Sequence, residues 1–340
     1  MLGFFLTNTE TAPLVTMQTV VLMVIVLTSL VIAQIVGFFL RRQPETTWNP
    51  AAIRAFNLRL RSYWMISVIL AVAIVVPDPV ATVILFFLVS FWALREFITL
   101  TPTRMGDHRA LFWVFFVFTP LQYFFVARLK VGTGTYIDWY EMFFIGVPVF
   151  GFLFIPTRIA LAGDSKRFLE RAAKTQAALL ICVYALSYAP ALLYLNLTDS
   201  NGDPWTDGNP GLLFFFVVLV QIGDLLQYAW GTFIGKHVIA PEINANRTWE
   251  GFIGGVLSTT MIGTILFWVT PFDPGEAALM SMVIAVMGFA GTMTMSAIKR
   301  DRGVKDYGTL VRGHAGVLDR IDSLCFAAPV FFHLTRAFFT

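Results

Sequence analysis

The sequence predicts an all-α integral membrane protein, a polytopic bundle of about ten transmembrane helices. Three observations carry that prediction. Hydrophobic residues fill 57% of the 340 positions and charged residues only 13%, where a soluble domain carries about 25% charged residues. Mean hydropathy is +0.73. Apolar runs near twenty residues recur along the chain, and in lipid such runs satisfy their backbone as helices.

The runs fall at 14–40, 63–77, 79–95, 110–127, 142–160, 176–195, 211–233, 251–270, 277–298 and 321–339. The first lacks the basic start and small-residue cleavage site of a signal peptide, so it is expected to stay as a span. The second and third meet at Pro77-Asp78-Pro79 and are short enough to form one helical hairpin, which makes the count nine to ten. The next three are separated by polar loops. The last four flank the polar stretches 234–250 and 299–320. Residues 1–200 are read as N-terminal transmembrane helices. Residues 201–340 are read as a C-terminal transmembrane region whose polar loops hold the chemistry.

Loop charge gives an orientation. Loop 41–62 contains Arg41, Arg42, Arg54, Arg59 and Arg61, and loop 96–109 contains Arg104 and Arg109. Loop 158–175 contains Arg158, Lys166, Arg167, Arg171 and Lys174. The turn at Asp78 and the stretches 196–210 and 271–277 carry acids and no base. The positive-inside rule puts the basic loops in the cytoplasm, with 234–250 and 299–320 beside them and both termini outside. Arg128 and Lys130 run against the rule. Cys182 and Cys325 both lie in apolar runs and are expected to be inert core thiols.

Between Lys299 and Asp322 there are six Lys or Arg and four Asp in 24 residues, about three times the charge density of the chain. An ordinary juxtamembrane loop uses bases to set orientation and acids for local pairing. Two details argue for more. Asp319 and Asp322, at i,i+3 on the edge of an apolar run, share one helix face and can aim at one cation. Small residues in "DYG" and "RGHAG" let the backbone approach a ligand closely. Paired carboxylates beside Lys and Arg suit a divalent metal carrying polyphosphate. Upstream, Asp224 lies within an apolar run, with Gln227, Gly231 and Gly235 near one stripe. An intramembrane acid is a candidate site, although the glycines equally suit close helix packing. The following loop adds Lys236, Arg247 and Glu250, then Gly254 and Gly255.

The stretch "SAIKRDRGVKDYGTLVRGHAGVLDRID" resembles the signature of the CDP-diacylglycerol synthases, or phosphatidate cytidylyltransferases. Ser296, Ile298, Lys299, Arg300, Lys305 and Asp306 meet its first half; Gly308, His314, Gly316, Asp319, Arg320 and Asp322 meet its second. "GDLLQYAWGTFIGK" and "NRTWEGFIGG" resemble the family's other polar stretch. The likeness is good over about 221–335. Ala315 stands where the family has glycine, Val311-Arg312 where it has an apolar and then a small residue or proline, and Arg247 where it has lysine. Asn244-Ala245 stands for Ser-Pro, and Gly291-Thr292-Met293 where many bacterial members have Gly-Asp-Leu.

The resemblance implies transfer of a cytidylyl group from CTP to phosphatidate, releasing pyrophosphate, in an inner (cell) membrane of a bacterium. It implies one or two Mg²⁺ ions, with a monovalent ion as a further candidate. Asp319 and Asp322 are the first expected ligands, with Asp224 or Asp306 completing the site. Lys299, Arg300, Lys305 and Arg320 are expected on the triphosphate and lipid phosphate. His314 is expected on a phosphate or the pyrophosphate. Ser296, Arg312, Lys236 and Arg247 are expected to bind substrate. Membrane lipids are expected partners, a homodimer is a candidate assembly, and no nucleic-acid partner is expected. Two other readings stand beside this one. A divergent paralogue would take another lipid phosphate, and a secondary transporter would use Asp224 but predicts inverted repeats, which the two halves do not show. A CDP-alcohol phosphotransferase would need an Asp-Gly…Ala-Arg…Gly…Asp…Asp pattern that the chain lacks.

Overall fold

The computed structural model describes residues 15–41, 50–76, 78–100, 103–127, 139–200, 202–205, 208–304, 307 and 316–340. Among them ten helical rods follow the ten apolar runs. They are α1 Met17–Arg41, α2 Pro50–Val75, α3 Pro79–Thr99, α4 Met105–Ala127, α5 Trp139–Ala160 and α6 Phe168–Tyr194. The rest are α7 Asn209–Phe233, α8 Trp249–Ile265, α9 Pro274–Asp301 and α10 Leu318–Phe339. All but α2, α8 and α10 are long and apolar enough by themselves to cross a membrane. The apolar part of α2 is limited to Leu60–Val75, and α8 has 17 residues. α10 is buried along most of its length, so neighbouring protein rather than lipid covers it. The protein is a polytopic helical membrane protein.

One boundary differs markedly from expectation. The basic segment 41–62 was expected as a loop, yet helix begins at Pro50 and carries Arg54, Arg59 and Arg61 within α2. Apolar windows end where charge begins, whereas helix continues through good formers such as Ala, Leu and Arg, and proline suits a first turn. Elsewhere the ends carry local signals. Asp78 accepts the Val80 N–H at 2.9 Å ahead of Pro79, and Asp273 and Glu276 form a capping box around Pro274. α4, α5 and α6 each contain a π-helical segment, at Val114–Phe118, Gly146–Gly151 and Leu180–Ala185, with Pro120, Pro148 and Pro190 in or near them.

α7 is the central rod. Leu212 through Val220 are all buried, so its first half is covered on every side. Phe216 stacks on Phe331 of α10 at 4.8 Å between centroids. α8 lies against the second half of α7 where glycines remove side chains. A Cβ on Gly251 would stand 2.7 Å from the Gln227 carbonyl oxygen and 2.9 Å from Gly231 Cα. These neighbours are backbone and cannot step aside. Gly251→Ala is expected to destabilise the bundle by about 1–3 kcal/mol, read as a lower unfolding midpoint in detergent.

Contacts sort the loops into two ends. At one end Arg171, buried at the start of α6, sits 3.3 Å from Asp107 and 2.9 Å from Asp164. Asp164 also pairs with Arg104 at 2.7 Å. Arg302, just past α9, lies 3.8 Å from Glu170. At the other end the Thr198 N–H donates to the Phe339 carbonyl at 2.7 Å, and Arg336 lies 3.8 Å over the Tyr140 ring. The basic segments around Arg104 and Arg171 and the close of α9 thus share one end.

The Arg104 guanidinium and then the Lys166 N–H hold the Asp164 carboxyl down at about 2, below an ordinary value near 3.9. Because the folded value is the lower one, the stabilisation is present above about pH 4 and disappears as pH falls towards 2. Wild type is expected to lose more thermal stability than Asp164→Asn across that interval.

Candidate active site

At the basic end, α7, α9, α10, the 234–248 loop and α2 border an open cleft of about 190 Å³. Each wall follows from local sequence. The second half of α7 turns Gln221, Asp224 and Tyr228 into the cleft at i, i+3 and i+7. Gln227, almost fully buried, donates to the Ala285 carbonyl at 3.1 Å and accepts from Arg247 at 3.4 Å. The second arm of the Arg247 fork pairs with Asp224. Arg247 is 5% exposed. A planar guanidinium suits such a two-armed role.

The loop before α8 is folded on itself, which is how Arg247 reaches inward. Ile239 N–H donates to the Arg247 carbonyl and Trp249 N–H to the His237 carbonyl, both at 2.9 Å. Glu250 accepts the Lys236 and His237 N–H groups at 3.1 and 3.2 Å. Asn244 donates to Ser296 at 3.1 Å, tying the loop to α9.

On α9, Thr292, Ser296 and Lys299 occupy one face at i, i+4 and i+7, all lining the cleft. Gly291 lets α9 lie close to α10, since a Cβ there would stand 2.6 Å from the Asp322 carbonyl oxygen. Thr292 and Ser323 hydroxyls are 2.9 Å apart across that contact.

The two α10 carboxylates differ. Lys299 Nζ donates to Asp319 Oδ1 at 2.8 Å. Oδ2 of the same group accepts the Tyr307 N–H at 2.8 Å and the Gly316 N–H at 3.0 Å. Asp319 therefore ties both Tyr307 and Gly316 to the first turn of α10. Tyr307 is buried, stacks on Phe97 and donates its hydroxyl to the Met295 carbonyl. Asp322, 8% exposed, takes the Ser323 N–H and hydroxyl on Oδ1, at 2.7 and 3.1 Å.

Of the residues singled out in the sequence, Asp224, Arg247, Ser296, Lys299, Asp319, Arg320 and Asp322 meet in this cleft. Arg300 instead donates to the Ile243 carbonyl at 3.2 Å, and Lys236 does not line the cleft. Lys305, Asp306, Arg312 and His314 lie outside the described residues. Three contributors had no local pattern in the sequence. Tyr63 of α2 lines the cleft, Thr292 stands in the sequence only as a departure from an aspartate, and Glu96 of α3 accepts N–H groups at the start of α10. The one signal for Glu96 was its being the sole acid of its helix.

Among the described residues no cluster of three or more His, Cys, Asp or Glu side chains is arranged to hold a metal by itself. Mg²⁺, however, typically takes one or two carboxylates and completes its shell with water and phosphate oxygens. Asp224 and Asp322, with the hydroxyls of Thr292, Ser296 and Ser323 in the same cleft, are a hard-oxygen set of that kind.

Comparison with known proteins decides the family. The model of the "Cytidylyltransferase family" matches residues 57–338. The chain belongs to the cytidylyltransferase family. It is a nucleotidyltransferase enzyme of the CDP-diacylglycerol synthase group. Across 311 residues it is 35% identical to the "Uncharacterized protein YnbB" of Escherichia coli (strain K12), covering 90% of this chain and 95% of that one. The phosphatidate cytidylyltransferase of Staphylococcus haemolyticus is 32% identical over 152 residues, which are 44% of this chain and 56% of that protein. That of Rickettsia felis is 25% identical over 236 residues, 66% and 85% of the two chains. The matched span includes most of α2, all of α3 and every cleft-lining residue.

Proposed function

We propose that this cytidylyltransferase joins CTP to phosphatidate, giving CDP-diacylglycerol and pyrophosphate, at the cytoplasmic face of a bacterial cell membrane. The observation that carries the reading is the convergence of Asp224, Arg247, Lys299, Arg320 and Asp322 on one cleft at the basic end of the bundle.

A lipid phosphate oxygen attacks the α-phosphorus of CTP. A new P–O bond forms, the bond to the β-phosphate oxygen breaks, and pyrophosphate departs with its electron pair. The attacking phosphate is already anionic near neutral pH, so alignment and charge cancellation matter more than a strong base. Lys299 and Arg320 offer cations to the phosphates. Lys299 is held by Asp319, so its ammonium stands ready rather than searching for a pose. Arg247, fixed by Asp224 and Gln227, orders the floor of the cleft. Asp224 and Asp322 would hold Mg²⁺, which when bound supplies Lewis-acid charge to the attacked phosphate and the leaving pyrophosphate. The acyl chains stay in the bilayer while the phosphate enters the cleft. The Arg104–Asp164–Arg171 cluster, on the same end as the cleft, supports a cytoplasmic opening.

The test uses purified protein in detergent with CTP and Mg²⁺, scoring pyrophosphate with and without phosphatidate. Release that requires phosphatidate is expected. Release only with another lipid phosphate, such as a polyprenyl one, would keep the chemistry and overturn the substrate. No release with any lipid phosphate would overturn the reaction.

A further inference from the structure

α10 begins without a side-chain cap of its own, because Gly316 has no side chain and Val317 offers no acceptor. The first-turn N–H groups of a helix need partners from outside the helix. Asp319 reaches back to the Gly316 N–H at 3.0 Å. The next two donors go to a distant residue. Val317 N–H lies 3.0 Å from Glu96 Oε1 and Leu318 N–H 2.8 Å from Glu96 Oε2. Glu96 belongs to α3, is 6% exposed, and also takes the Trp92 indole N–H at 3.2 Å.

This carboxylate does for α10 what an N-cap does, accepting orphan amides and setting negative charge at the positive end of the helix. A Ser or Asp at the helix start would satisfy the same amides locally. Supplying the acceptor from α3 instead fixes the beginning of α10 against another part of the bundle. Asp319, Arg320 and Asp322 follow within five residues, so a turn or slide of that first turn re-aims both carboxylates. A buried acid at the edge of a span is costly and calls for such a role.

We propose that Glu96 is a positioning residue for the reaction inferred above: it anchors the first turn of α10 so that Asp319 and Asp322 face the cleft. Glu96 does not line the cleft and acts only through α10. That the chemistry is cytidylyl transfer rests on the preceding section; the anchoring itself does not.

The experiment compares full-length wild type and Glu96→Gln in lipid nanodiscs by amide hydrogen exchange and by CTP- and phosphatidate-dependent pyrophosphate release. Glutamine keeps the volume and one acceptor but turns an NH₂ towards an N–H. Exchange at Val317 and Leu318 is expected to quicken at least about tenfold, while Phe331 to Thr335 in the same helix stay protected. kcat is expected to fall roughly a hundredfold, the scale of an ångström-sized misplacement, with KM for CTP changed less than about twofold. Wild-type exchange at Val317 and Leu318, or an unchanged kcat, would overturn the proposal. So would a loss of activity that merely tracks loosening of all of α10. If Glu96→Gln does not accumulate, Trp92→Phe removes only the indole donor and should move the same readouts in the same direction, less far. A wild type silent towards CTP and phosphatidate would refute the proposed reaction, and the exchange data would still decide the anchoring.

Discussion

Asp322→Asn is expected to lower kcat/KM for pyrophosphate release by about 10²–10³, roughly 3–4 kcal/mol of transition-state stabilisation. The substitution is nearly isosteric. The amide oxygen can still take the Ser323 N–H that now lies 2.7 Å from Oδ1, so the first turns of α10 should survive. What disappears is the negative charge beside Asp224 and the hydroxyls of Thr292 and Ser323. The expected signature is a pyrophosphate assay that stays low at every Mg²⁺ concentration while the unfolding midpoint barely moves. Activity within a few-fold of wild type would remove Asp322 from the reacting centre. Asp319→Asn should behave differently. Asp319 accepts from Lys299, Tyr307 and Gly316 at once, and an amide cannot serve three donors. Its loss should fall on stability as well as on rate.

Arg247→Ala is expected to be the most destabilising single change in the cleft, by about 3 kcal/mol. Removing the fork leaves Asp224 and the Gln227 oxygen without their guanidinium partner in a buried place. The loss sits at the low end for a broken buried pair because the Asp224 side chain keeps 24% of its surface exposed. Arg247→Lys should recover only part of the loss, since one ammonium cannot reproduce two arms. Denaturant titration in detergent distinguishes the three proteins. A drop below about 1 kcal/mol for Arg247→Ala would mean that solvent replaces the guanidinium freely.

Much of the architecture was legible because lipid imposes a simple rule. A run of about twenty apolar residues must be helical, and each of the ten runs corresponds to a rod. Ends were less legible, as α2 illustrates: hydropathy falls at Tyr63, while helix continues back to Pro50 through charged residues that favour helix. In the cleft, Asp224, Ser296, Lys299, Asp319 and Asp322 could be read as charge and hydroxyl in apolar surroundings at helical spacing. Spacing identified the shared face of Asp319 and Asp322 but not the donors that arrive there. Those come from the backbone of Tyr307 and Gly316, and a backbone N–H carries no side-chain pattern to mark it. Tyr63 and Glu96 were hidden for a different reason. Tyr63 joins a cleft built mostly from residues beyond 219, Glu96 receives amides more than 220 residues along the chain, and a lone acid next to an apolar run has no periodicity to betray it.

The link between Glu96 and α10 also sets a schedule for biosynthesis. The amide of Leu318 is made 222 residues after the carboxylate that receives it. At 5–20 residues per second a ribosome needs about 10 to 45 s to cover that distance. During that interval α3 is already synthesised, and of the three donors to Glu96 among the described residues only the Trp92 indole, four residues earlier, has been made. The nascent enzyme therefore holds a buried-to-be charge near the membrane boundary until α10 emerges, and the same event delivers Asp319 and Asp322. The contact that relieves Glu96 and the arrival of Asp319 and Asp322 therefore fall at the same point of synthesis.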